Sequence, residues 1–139
     1  MKNLLICLLV LFSGTVAVQA QTKESKTGKA KVEVYYFHRT NRCGGCIAME
    51  KNTKKTLETY FSKEVEEGTV KFIIANIDEE KNEPLAEEYK VYGSSLFVTK
   101  IDGINETRTN MTNFAFSYGK NNPEKFMKGL KEKIDENLK

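Results

Sequence analysis

Five residues, Arg42-Cys43-Gly44-Gly45-Cys46, stand between a β-type run and a helical one, and they constrain this chain more than any other feature. Residues 32–37 (VEVYYF) are β-branched and aromatic, apolar enough on both faces to read as a covered central strand. From Cys46 to about residue 61, Cys46, Met49, Thr53, Leu57 and Tyr60 recur at helical spacing, while Lys51, Lys54, Lys55 and Glu58 take other faces. The first sulfur of a C-x-x-C pair so placed falls at a helix N-cap. Free backbone N–H groups and the positive end of the helix dipole there favour a thiolate over a thiol. Cys43 is therefore expected to be the more acidic and more exposed thiol, with the charge of Arg42 beside it. One helical turn keeps Cys46 within disulfide reach.

Attack by Cys43 on a foreign disulfide, followed by attack of Cys46 on the mixed disulfide, is the chemistry such a pair supports. Half of a zinc site and a purely structural disulfide are the competing readings. Zinc takes four ligands, yet outside the apolar N-terminus the chain offers one histidine and no second cysteine pair. A bridge across so short a loop constrains the unfolded chain little and makes a poor staple.

Residues 1–20 read as a secretory signal peptide. Lys2 gives a positive start, an apolar run follows from Leu4 to Val18, and Val18-Gln19-Ala20 has the small-x-small form of a cleavage site. The run is broken by Ser13 and Gly14 and lacks a basic stop-transfer cluster, which argues against a membrane anchor, and Cys7 lies inside it. Cleavage after Ala20 would leave a periplasmic or secreted chain whose only cysteines are Cys43 and Cys46. In an oxidising compartment that pair is a disulfide unless something reduces it. The formal charge of +3, one unit of which leaves with Lys2, is too small and scattered to argue for nucleic acid.

Residues 21–31 are polar and aperiodic and read as a flexible leader, leaving 32–139 as a single domain. Residues 70–78 (VKFIIANID) form a second strand, so strand, helix and strand imply a parallel right-handed βαβ unit. A short helix from Asn82-Glu83-Pro84 to Lys90 follows, then a strand over 95–101. Asp102-Gly103 signals a tight turn into a polar return strand over 104–110. Residues 111–121 are expected to be a long loop whose Phe114, Phe116 and Tyr118 cover the end of the core. Asn122-Pro123 then caps a final helix with Phe126, Met127, Leu130, Ile134 and Leu138 in one stripe.

That order of elements, the Cys43-Gly44-Gly45-Cys46 motif and the stretch Tyr89-Lys90-Val91-Tyr92-Gly93-Ser94-Ser95-Leu96 resemble the thioredoxin-like superfamily over residues 32–138. The resemblance implies an α/β fold: a central mixed four-stranded sheet with a βαβ unit, a short helix, a β-hairpin and a C-terminal helix. It also implies a thiol–disulfide oxidoreductase needing no cofactor beyond the cysteine pair, acting as a monomer on protein disulfides or thiols. A membrane thiol-reductase or an oxidase would serve as redox partner. The sequence departs from the family where a cis-proline faces the cysteines. Ser95 stands there, and a trans peptide is expected because a cis bond before a non-proline residue costs about 3 kcal/mol. Arg42 replaces the usual tryptophan, and no buried acid matches the family's, since Tyr36 and Phe37 occupy its region and Glu33 lies too early. Gly44 and Gly45 shape the motif, while His38 and Ser95 are candidates for supporting roles, His38 for proton transfer. Two other functions stay open: a soft-metal protein holding Cu(I) through Cys43, Cys46 and His38, and a non-catalytic binding module using the 114–118 aromatics.

Overall fold

The computed structural model describes residues 30–139, so the expected signal peptide and most of the leader lie outside the described residues. The leader's last two residues belong to the fold. Ala30 is buried, and Lys31 donates its N–H to the Thr69 carbonyl and accepts from the Ile101 N–H.

Strand β1 (Val32–His38) is one of the two inner strands of a four-stranded sheet of order β2-β1-β3-β4. It pairs in parallel with β2 (Val70–Asn76) and antiparallel with β3 (Ser95–Asp102), which pairs antiparallel with β4 (Asn105–Asn110). Being hydrogen-bonded on both edges and covered on both faces, β1 buries all of residues 32–37, as its largely apolar and aromatic run predicts.

Strand alternation sorts those residues into two cores. Val32, Val34 and Tyr36 face α1 (Gly44–Tyr60) and α5 (Pro123–Leu138), meeting Met49, Leu57, Phe126, Leu130 and Ile134. Tyr35 and Phe37 face Ala86 and Tyr89 of α3 (Glu83–Tyr89) on the opposite side. A five-residue helix α2 (Ser62–Glu66), not expected from the sequence, links α1 to β2. Glu33, buried and taking a hydrogen bond from the Tyr35 hydroxyl, lies on the α3 face at the start of β1, away from the cysteines. Together these elements make the mixed sheet, βαβ unit, hairpin and terminal helix of the thioredoxin fold.

Three expectations need correction. Tyr60 is 45% exposed rather than buried, because α1 ends there and Phe61 leaves the helix to take the core position. The return strand begins at Asn105 because Gly103, at φ 62°, and the exposed Ile104 form the turn. Most consequentially, 112–119 is a helix, α4 (Thr112–Gly119), and not a loop. Its start is held locally: Asn110 Oδ1 accepts the Thr112 N–H, and Thr112 Oγ1 accepts the Leu96 N–H. Its buried residues are Ala115 and Gly119, whose small size lets α4 approach α1 closely. The Asn52 side chain seals that approach by donating to the Gly119 carbonyl at 2.6 Å. Of the three aromatics expected to cover the core, Phe114 and Tyr118 pack against it, whereas Phe116 is exposed.

Candidate active site

The cysteines sit where β1 hands the chain to α1. Residues 39–42 are pinned on the way. Asp78, just past β2, accepts the Thr40 N–H at 2.8 Å and lies 3.8 Å from Arg39, while Asn76 Nδ2 donates to the Thr40 hydroxyl. The Thr40 N–H is the main reason the Asp78 carboxyl is held below its usual range, helped by Arg39 and His38.

Cys43 is the N-cap of α1, with φ −76° and ψ 165°, and its sulfur accepts the Cys46 N–H at 3.3 Å. The Cys43 carbonyl takes the Ile47 N–H and starts the helix. Cys43 and Cys46 form a disulfide with their Cα atoms 5.1 Å apart. Cys43 is exposed and Cys46 is 7% exposed, so the helix presents one sulfur to solvent and turns the other inward.

Tyr36, not singled out by the sequence, anchors this turn from below. Its ring is fully buried, and its hydroxyl donates to the Cys46 carbonyl at 2.8 Å. Burial raises the Tyr36 pKa, and the Arg42 guanidinium, followed by the Ser94 hydroxyl, pulls it back. Strand parity alone points to it, since Tyr36 shares the face of Val32 and Val34.

Arg42 does not stand alone beside Cys43. It is ion-paired with Glu50, which also binds Lys54. Those partners hold the Glu50 carboxyl below its usual range, Lys54 most strongly and then Arg42, against the effect of partial burial. A free positive charge at Arg42 is thereby turned into part of a Lys54–Glu50–Arg42 chain.

Gly44 has open space where a Cβ would be, whereas Gly45 lies under the ring of Phe116 from α4. The Ser95 hydroxyl donates to the Gly93 carbonyl at 3.2 Å, and no cis peptide bond occurs among the described residues. His38 stacks on Tyr36 with ring centroids 5.5 Å apart, and its Nδ1 lies 2.9 Å from the Arg39 carbonyl, so it reaches the site through Tyr36. No group of three or more His, Cys, Asp or Glu side chains converges as a metal site among the described residues.

No family model matches this chain, and no curated protein does. Among solved structures it is similar to oxidised mitochondrial thioredoxin 3 from Saccharomyces cerevisiae, at 24% identity over 74% of this chain and 79% of that one, with a TM-score of 0.44. It is also similar to Fasciola hepatica thioredoxin, at 18% identity over 78% and 84% of the two chains and a TM-score of 0.47. A thioredoxin from Thermus thermophilus gives 17% identity, coverage of 77% and 76%, and a TM-score of 0.49. The fold itself stands on the element order and strand pairing described above.

Proposed function

We propose that this chain is an extracytoplasmic thiol–disulfide oxidoreductase in which Cys43 is the attacking and Cys46 the resolving thiol. The observation that carries this reading is the asymmetry of the pair: an exposed Cys43 at the helix N-cap, bonded to a buried Cys46 one turn on. Exposure and the N-cap favour a reactive thiolate at the first position, and burial protects the second from outside attack.

In the reducing direction, the Cys43 thiolate attacks one sulfur of a substrate disulfide. The substrate's S–S bond breaks, its departing sulfur takes a proton, and a Cys43–substrate disulfide forms. Cys46 then loses its proton and attacks Cys43 Sγ. The Cys43–Cys46 bond closes, and the second substrate sulfur leaves as a thiol, so two electrons have passed to the substrate. The oxidising direction is the same path reversed.

The pair needs no other cofactor for this exchange. A membrane thiol-reductase would recharge it as a reductant, and an oxidase would recharge it as a disulfide donor; the substrates are protein thiols or disulfides. The signal-peptide reading of residues 1–20 supports an extracytoplasmic site.

Equilibration of the pair against glutathione and dithiothreitol buffers tests the proposal. A potential of about −270 mV marks a reductant and one of about −120 mV a disulfide donor. Cys43→Ser is expected to abolish exchange, and Cys46→Ser to stall it at the mixed disulfide. A pair that exchanges only after denaturation would sink the enzyme reading.

A further inference from the structure

We infer that the Tyr36 hydroxyl is a redox-linked positioning group, holding the first turn of α1 most effectively when Cys43 and Cys46 are reduced. This rests on the oxidoreductase reading and deepens it.

The turn in question is intrinsically weak. It opens with Gly44 and Gly45, each a poorer helix former than alanine, and nothing packs where a Gly44 side chain would be. In the oxidised protein the disulfide fixes both ends of this turn. Reduction by a dithiol delivers two electrons and two protons, cleaves the S–S bond and leaves two thiols that need more room than bonded sulfurs. The reductant leaves as its own disulfide. The covalent restraint is then gone.

Among the hydrogen bonds that remain at its start are the Cys46 N–H on Cys43 Sγ, the Ile47 N–H on the Cys43 carbonyl, and the Tyr36 hydroxyl on the Cys46 carbonyl. Of these only Tyr36 comes from outside the helix. It projects from a strand hydrogen-bonded on both edges and is itself fully buried. Arg42, the residue before Cys43, and Ser94, in the segment that leads into β3, both act on the same hydroxyl electrostatically, opposing the effect of its burial.

Losing this bond costs little structure while the disulfide holds the turn, and more once the disulfide is open. Removing the hydroxyl should therefore destabilise the reduced form more than the oxidised one and shift the equilibrium toward the disulfide.

The test compares purified wild-type protein with Tyr36→Phe and with Val34→Ala, a packing control on the same face of β1. The readouts are the thiol–disulfide equilibrium in dithiothreitol redox buffers and thermal melts of both redox forms. Tyr36→Phe is expected to favour the disulfide by about two- to fivefold, the size of one hydrogen bond, and to lower the melting point of the reduced form more than that of the oxidised form. The oxidised variant, its turn still held covalently, supplies the folded baseline. Val34→Ala should lower both melting points alike and leave the equilibrium unmoved. Equal losses with an unchanged equilibrium, or a shift toward the dithiol, overturn the inference. If the wild-type pair cycles while Tyr36→Phe moves nothing, only this inference fails. If no dithiol opens the wild-type pair, the oxidoreductase reading fails and takes the inference with it.

Discussion

Phe116 of α4 lies across Gly45 of the cysteine motif: a Cβ built on Gly45 would meet the Phe116 ring at 3.5 and 3.6 Å and Cys43 Sγ at 3.8 Å. An aromatic side chain more than seventy positions away in sequence thus walls one side of the redox pair. At 43% exposure it also faces solvent, where an incoming substrate would meet it.

Gly45→Ala is expected to fit, because those contacts are ordinary van der Waals distances, and to strengthen the first turn of α1 by up to about 1 kcal/mol. A higher melting point of the oxidised protein is the check. Phe116→Ala removes the wall instead, so Cys43 of the reduced protein should alkylate faster with iodoacetamide while the melting point changes little. An unchanged alkylation rate would mean that Phe116 does not screen Cys43.

The position of α4 depends on a second glycine. A Cβ at Gly129 in α5 would come within 2.3 Å of the Phe114 ring, closer than real atoms approach. Gly129→Ala should destabilise the protein by about 1–3 kcal/mol through overpacking, partly offset by the helix preference of alanine. Phe114→Leu should relieve that clash, so the double variant should lose less than the two single losses added together. Urea denaturation of all four proteins measures the coupling.

Neutralising Glu50 should release the field of Arg42. Glu50→Gln is expected to favour the Cys43 thiolate and speed its alkylation at a fixed mildly acidic pH, by about two- to fivefold as befits a partly exposed pair. Arg42→Met should slow the same reaction. Identical rates in all three proteins would show that the Lys54–Glu50–Arg42 chain does not reach the sulfur.

Acid should loosen the site before it unfolds the core. The carboxyls of Asp78 and Glu50 are both lowered in the folded protein, from ordinary values of 3.8 and 4.5. A depressed carboxyl stabilises the fold above its unfolded value and loses that contribution as pH falls through its folded one. Melting points should therefore hold above about pH 5 and decline below about pH 4. Asp78→Asn, which cannot accept the Thr40 N–H as a carboxylate, should start lower and decline less steeply. A parallel decline would remove Asp78 from the cause.

How much of this was readable in the chain divides along one line. Strand β1, the capped helix behind Cys43, the hairpin at Gly103 and the Asn122 cap of α5 follow from spacing and end residues, each a property of neighbours in sequence. The Cys43–Cys46 pair was legible for the same reason, its two sulfurs being one helical turn apart. The rest was decided by which faces meet. The buried side of α1 is completed by Asn52 and Thr56, polar residues made tolerable inside by hydrogen bonds to the Gly119 and Asn52 carbonyls. Helix α4 packs Phe114, Ala115 and Tyr118 inward at helical spacing, but over a run of eight residues too short for that period to stand out. Tyr36 beneath Cys46, Glu50 against Arg42 and Phe116 over Gly45 are contacts between segments that share no local pattern. Sequence periodicity fixes which way a side chain leaves its own helix or strand, but only the packed fold determines what it meets there.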